Sequence, residues 1–189
     1  MAESRNREAL LDEIEAIIRR EGFADLRVGE LSARVHCSRS TLYKLAPSKD
    51  ELVVLVLDRL ADKAQAEARQ AASAPGLSAA ERIIAFTHVI NEWQGRCALV
   101  LWRDWRAMPA AAAMLAERNS IGVGVVAGFI EEGMRTGEFR QVNARYTTRV
   151  ISEAANLTRD ARLLEDAGLS AGDAMEELGL WIARGLSRD

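Results

Sequence analysis

The sequence predicts an all-α protein, and three observations carry that expectation. Ala, Leu, Glu and Arg dominate a chain of 189 residues that holds only three prolines, a mixture that favours helices over strands. No run alternates Val, Ile, Thr and aromatics at the period of a strand. Apolar residues instead recur at helical spacing along the whole chain, between Gly, Pro and Ser punctuation. They make up 49% of it, enough for one domain of ordinary size or for a small head on a larger body.

Residues 4–21 read as the first helix. Leu10, Leu11, Ile14, Ile17 and Ile18 share one stripe, and Gly22 after "RRE" is a natural left-handed cap. "VGELSARV", residues 28–35, is a second, short helix with Val28, Leu31 and Val35 inward. "HC" makes a tight turn. Ser38 then caps a third helix from about Arg39 to Leu45, with Cys37 and Leu42 as a hydrophobic staple. Pro47 ends it by disfavouring a helical residue before it.

"SKDE" at 48–51 is a capping box that opens a long fourth helix to about Ala72, and "SAPGLS" at 73–78 is the clearest linker. "SAAE" at 78–81 is a second capping box, and its helix runs to about Gln94. "CALVLWRDWRAM" is a shorter helix that Pro109 breaks or restarts. A long helix follows and is closed by Gly137. "GEFRQVN" is a loop, and residues 144–166 and 171–187 give two final helices. The expectation is nine helices and no strands.

The N-terminus is charged and lacks the apolar core of a signal peptide. No apolar run approaches the roughly 18 residues that span a membrane. Two cysteines, Cys37 and Cys97, make no disulfide framework. A soluble, reduced, cytoplasmic protein with no membrane partner is expected. The net charge is −3, so no general excess of positive charge points to nucleic acid. Local distribution differs. From Arg27 to Lys49 lie Arg27, Arg34, Arg39, Lys44 and Lys49 against Glu30 alone, a local +4.

Helices two and three, joined by a turn of about three residues, have the layout of a helix-turn-helix. In such a unit the second helix enters the major groove. With Leu42 and Leu45 inward, Arg39, Ser40, Tyr43 and Lys44 face out, with no acid among them. An ordinary solvated helix mixes signs. Lys49, at the start of the fourth helix, suits a phosphate.

The segment "GFADLRVGELSARVHCSRSTLYKLAPSKDELV", residues 22–53, resembles the TetR-type bacterial transcriptional regulators. It follows their pattern without a gap, from Gly22-Phe23 through Ser38, Thr41-Leu42-Tyr43 and Ser48-Lys49 to Leu52. A "TGEFR" turn at 136–140 and two C-terminal helices agree more loosely. The resemblance implies a dimeric, ligand-responsive repressor of a palindromic double-stranded DNA operator. It places Tyr43 and Lys49 at phosphates, Arg39, Ser40, Thr41 and Lys44 on the recognition helix, and Arg27 at the backbone. Residues 1–47 would be the helix-turn-helix head. Residues 48–189 would be the ligand-binding and dimerisation body, with 48–72 as the linking helix. The chain departs from the family at His36 and Ser40, where Gly is usual, and at Leu45-Ala46, where an aromatic pair is.

Other signals point to a body that binds rather than catalyses. "IGVGVVAG", residues 121–128, imitates a nucleotide loop but has a helical sequence before it instead of a strand. It reads as a helix whose Gly124 and Gly128 admit a close neighbour. Phe86, Trp93, Trp102, Trp105, Met108, Met114 and Phe129 concentrate in mid-chain. They make either plain core or the lining of an apolar effector pocket, with His88, Asn91, Arg103 and Asp104 as the candidate polar groups. Dispersed His and Cys give no metal spacing, and no catalytic motif or cofactor signature occurs. Val150, Ile151, Ala154, Thr158 and Ala161 form one stripe. Met175, Leu178, Trp181, Ile182 and Leu186 form another. Both exceed the needs of one small body, and pairing with a second copy as a four-helix bundle is expected. The sequence thus reads as a DNA-binding regulator and not an enzyme. The alternative is an interaction or small-molecule-binding module whose head has lost DNA binding.

Overall fold

The computed structural model describes residues 2–188, with side chains from residue 7 onward. Among these lie ten helices: α1 (Ala2–Glu21), α2 (Val28–Arg34), α3 (Arg39–Leu45), α4 (Lys49–Ala72), α5 (Ala79–Gly95), α6 (Leu99–Ala107), α7 (Pro109–Thr136), α8 (Ala144–Leu157), α9 (Ala161–Ala167) and α10 (Ala171–Leu186). Phe139 and Ser187 form an isolated antiparallel bridge.

The expected count of nine is corrected to ten because residues 144–166 are two helices. α8 stops at Leu157. The Thr158 hydroxyl turns back to the Ala155 carbonyl at 2.9 Å, and the Asp160 carboxylate caps the next helix by accepting the Leu163 N–H at 3.2 Å. A short polar side chain that captures an N–H locally competes with helix continuation. Ala161 therefore opens α9 and does not extend the stripe of Ile151 and Ala154.

The chain forms two compact units: Met1–Ala61 with Cys97–Leu115, and Asp62–Arg96 with Ala116–Asp189. α4 and α7 contribute residues to both. In the first unit the buried apolar side chains come from α1 (Leu11, Ile14, Ile18), α2 and α3 (Leu31, Leu42), α4 (Val53, Val56, Leu57) and α6 (Leu101, Trp102, Trp105). Charge fastens it as well. The Arg59 guanidinium reaches Glu8 (2.7 Å), Asp12 (2.8 Å) and the buried Glu15 (3.1 Å).

An apolar cluster runs through the second unit. It joins Ala68 and Ala72 of α4, Ile83 and Phe86 of α5, Val123, Val126 and Ile130 of α7, Phe139, Ile151 of α8, and Ile182 and Leu186 of α10. α10 packs most extensively against α5. The two helices come close at Gly179, where any Cβ would run into the Thr87 side chain, and at Gly172, where it would run into Asn91. Ser78 and Glu81 form the expected capping box on α5, and Ser170 with Asp173 forms another on α10. α7 is long and apolar enough to cross a membrane by length and composition. Here Val123, Val126 and Ile130 are buried in the cluster. Gly124 and Gly128, expected to admit a close neighbour, have open space where a Cβ would stand.

Candidate nucleic-acid interface

α2 and α3 are only seven residues each, too short to be stable alone. Local hydrogen bonds and two buried leucines, Leu31 and Leu42, shape the pair. α2 ends with the Cys37 N–H on the Ser32 carbonyl (2.9 Å) and the His36 N–H on the Ala33 carbonyl (3.3 Å), a double cap that needs a left-handed residue. That residue is His36, at φ 49°, where an L side chain is disfavoured and glycine is not. The Ser38 hydroxyl then accepts the Thr41 N–H at 3.0 Å and starts α3.

Capping settles which α3 side chains are available. Thr41 is half-buried, and its hydroxyl bonds Ser38 at 2.9 Å. Arg39, Ser40 and Lys44 are exposed. Tyr43 is 51% exposed, unusual for a large ring on a helix that has a core beneath it. Arg39 lies over Gly29 of α2. Leu45, expected inward, is half-buried, and Ala46 is buried beside it.

The remaining cations divide. Arg27 is exposed, at the N-cap of α2. Lys49 bonds the Ala24 carbonyl through Nζ at 2.9 Å, a tether that its sequence context did not announce. Arg34 makes a fork to Glu21, with both bonds at 2.7 Å. Hydrogen bonds from Arg34, and next from Arg20, hold the Glu21 carboxyl down at about 2. Arg34 therefore belongs to the α1–α2 junction, and the local +4 overstates what faces out.

The aromatic residues of the expected effector pocket fall into both units. Phe86 is buried in the cluster of the second unit and Phe129 packs against it. Trp93, in the same unit, is buried, and its indole N–H donates to Glu67 at 2.7 Å. Trp102, Trp105 and Met108 belong to the first unit. Trp102 and Trp105 stack with centroids 5.4 Å apart and planes at 8°, and the Trp105 N–H donates to the Ala111 carbonyl at 2.8 Å. Nearness in sequence had grouped side chains that the fold assigns separately. His88 is exposed: Phe86 and Thr87 take the inward positions of α5, and the next residue turns out.

On the expected pairing faces, Ile151 and Ile182 are inward, in the second unit's cluster. Thr158 is buried, and Ala154, Ala161 and Leu178 are half-buried. Trp181 is 70% exposed. Leu157, Leu163 and Trp181 line an apolar groove of about 460 Å³, with Ala154, Thr158 and Leu178 on its walls. Tyr146 and Val150 are exposed on α8. Sequence reading missed Tyr146, Leu157 and Leu163; the break at 158–160 carries Leu163 onto a separate helix.

No family model and no curated protein matches the sequence. Solved structures do match, over nearly the whole chain. A TetR transcription regulator from Haloarcula marismortui is 17% identical, with a TM-score of 0.73, covering 98% of this chain and 100% of that one. A transcriptional-regulator structure from Saccharomonospora viridis in complex with choline is 18% identical, with a TM-score of 0.76, covering 98% and 100%. The fatty acid degradation regulator of Bacillus halodurans is 13% identical, with a TM-score of 0.76, covering 97% of each. At such identities the likeness is one of fold. The chain has the all-α fold of the TetR-family transcriptional regulators.

Proposed function

We propose that this chain is a sequence-specific DNA-binding transcriptional regulator, a cytoplasmic repressor that acts as a homodimer and leaves a palindromic operator when a small effector binds. The observation that carries the reading is the outer face of α3. Arg39, Ser40, Tyr43 and Lys44 are exposed on a helix with no acidic residue, and that helix follows α2 through a capped turn. In this reading Arg39, Ser40, Thr41 and Lys44 belong to the base-reading helix, and Tyr43, Lys49 and Arg27 hold phosphates. The reading head is residues 1–47. Residues 48–189 are the body, although the compact unit that contains the head also takes in residues 97–115.

Selection from randomised duplex is the test. An enriched palindrome at low salt is expected, and its absence overturns the reading in favour of an interaction module. Tyr43→Ala and Lys49→Ala should weaken binding to all sequences, Lys49→Ala more for the operator, because it also releases the Ala24 carbonyl. Losing Lys49 should lower the salt slope by about one per head. Changes at Arg39 or Lys44 should alter sequence preference.

The second copy is proposed to cover the groove of α8, α9 and α10, where Leu157, Leu163 and Trp181 stand exposed. Ile151, Ala154, Thr158, Ala161, Leu178 and Ile182 would then support that interface from beneath and beside it. Sedimentation should give a dimer at micromolar concentration, and Trp181→Arg a monomer. The effector is proposed to enter the second unit beside Phe86, Trp93 and Phe129, the expected pocket residues that this unit retains. The choline complex among the fold neighbours makes choline the first probe, and an amphipathic fatty acid is the second. α4, some 36 Å long at 1.5 Å per residue, is the element whose tilt would change half-site spacing. Linkage requires the operator to weaken effector binding by the factor by which effector weakens operator binding. Equal effector affinity with and without operator would break this part of the proposal.

A further inference from the structure

We propose that Asp104 of α6 is a positioning residue for DNA reading: it fastens the turn between α1 and α2, and so sets where α2 and α3 present their side chains. The proposal rests on the DNA-binding reading above and deepens it. Asp104 is buried, at 5% exposure. Its Oδ2 accepts the Phe23 N–H at 2.8 Å and the Ala24 N–H at 2.9 Å, while Oδ1 faces Arg103 at 3.4 Å. Gly22, at φ 73°, lies so close that any Cβ there would strike the same carboxylate.

The turn is gripped from the other side as well. The Ala24 carbonyl that follows those two amides accepts the Lys49 ammonium. The start of α6 is fixed to the end of α1 by the Ala98 N–H on the Arg19 carbonyl, at 2.9 Å. Phe23 and Ala24 are therefore held through their N–H groups by α6, and Ala24 through its carbonyl by α4.

A buried carboxylate is an expensive way to fill space. An apolar side chain of similar size would pack there without desolvating a charge. What the carboxylate adds is direction: one oxygen that binds two consecutive amides fixes the path of the turn. α2 begins at Val28, a few residues on, and carries α3 with it. Base reading needs placement within fractions of an ångström, whereas attraction to phosphates tolerates looseness. Loosening this turn should therefore cost specific binding more than non-specific binding.

The experiment uses the full chain with two readouts. The first is amide exchange without DNA. Asp104→Ala should speed exchange at Phe23 and Ala24 and leave Val123, Val126 and Ile130 of α7 unchanged. The second is affinity at one salt concentration for the duplex enriched by selection and for a random duplex. Specific affinity should fall about tenfold or more and non-specific affinity by less than about twofold, since charge alone governs the latter. Asp104→Asn keeps an acceptor oxygen and should restore most of the specific affinity. Should Asp104→Ala fail to fold, Asp104→Ser, too short to reach both amides, takes its place. Equal loss on both duplexes, or faster exchange throughout the chain, means a merely structural role and overturns the proposal. If the wild type itself prefers no duplex, the DNA reading falls first and this proposal falls with it. If the wild type selects a palindrome and Asp104→Ala keeps the same preference, only this proposal falls.

Discussion

The two compact units are held together differently. The second unit is built chiefly on an apolar cluster and close helix contact: Phe139 is fully buried, and α10 meets α5 where Gly179 makes room for Thr87, while the Glu138 carboxylate holds the Ala79 and Ala80 amides at the start of α5. The first unit has buried leucines and isoleucines too. Its short elements, however, are fastened by directed polar bonds, from Asp104 to the α1–α2 turn, Lys49 to Ala24 and Arg34 to Glu21, and Arg59 ties the longer α4 to three acids of α1. Length explains the difference. A helix of 16 or 28 residues buries enough side chain for packing to dominate its placement, with polar bonds such as Gln65 to the Arg118 carbonyl added to it. A helix of seven residues does not, and polar bonds with defined direction set its position.

The largest break in this comparison should come from the second unit. Phe139→Ala removes a ring at 0% exposure from the cluster, and a loss of about 3–5 kcal/mol in denaturant unfolding is expected. A loss under 1 kcal/mol would show that the loop after α7 is not part of that core. Gly179→Ala adds one methyl where Thr87 already stands, so overpacking should cost about 1–3 kcal/mol. The double variant with Thr87→Ala should recover much of that, which thermal midpoints can score.

The first unit should answer to charge instead. Arg59→Met keeps most of the side-chain volume but leaves Glu15 buried, with Arg19 at 3.6 Å. A loss of roughly 1–2 kcal/mol is expected, because Glu8 and Asp12 return to water while Glu15 does not. High salt should narrow the gap between this variant and wild type, and should not narrow the gap for Phe139→Ala. A salt-independent Arg59 effect would mean that its aliphatic stem carries the contact.

The smallest effect concerns Glu21. Its folded carboxyl lies at about 2, against an ordinary 4.5, through the Arg34 and then the Arg20 hydrogen bonds. A depressed carboxyl contributes stability that is complete above 4.5 and is lost as pH falls from there towards 2. Wild type minus Arg34→Gln should therefore show a difference in thermal midpoint at pH 6 that shrinks by pH 2.5. Both partners are solvated, so the difference is small. A difference that grows on acidification would overturn the assignment.

Much of this architecture is legible in the chain before any folding is considered. Helical spacing, two capping boxes and the Gly and Pro stops place eight of the ten helices within a few residues. These are local signals, read within three or four positions. The helix-turn-helix is legible for the same reason, since Ser38, Leu42 and the left-handed turn at His36 act on their near neighbours. Burial and partner choice are not local. Trp102 and Trp105 look like company for Trp93 because they are close in sequence, yet α6 belongs with the first unit and its tryptophans stack on each other. Thr158 and Asp160 look like ordinary helix residues until their side chains cap the two ends of a break.

Asp104 shows the division most clearly. In "LWRDWR" it lies between two tryptophans and reads as a candidate polar group of an effector pocket, a role its place in the first unit does not support. Its partners are amides some 80 positions away, and only the path of the chain brings them to 2.8–2.9 Å. The sequence by itself determined which segments are helical and which α3 side chains stand exposed, because periodicity and capping are properties of neighbouring residues. The tertiary structure alone decided which acids and cations are spent on fastening, because hydrogen bonds between distant segments depend on where the whole chain folds.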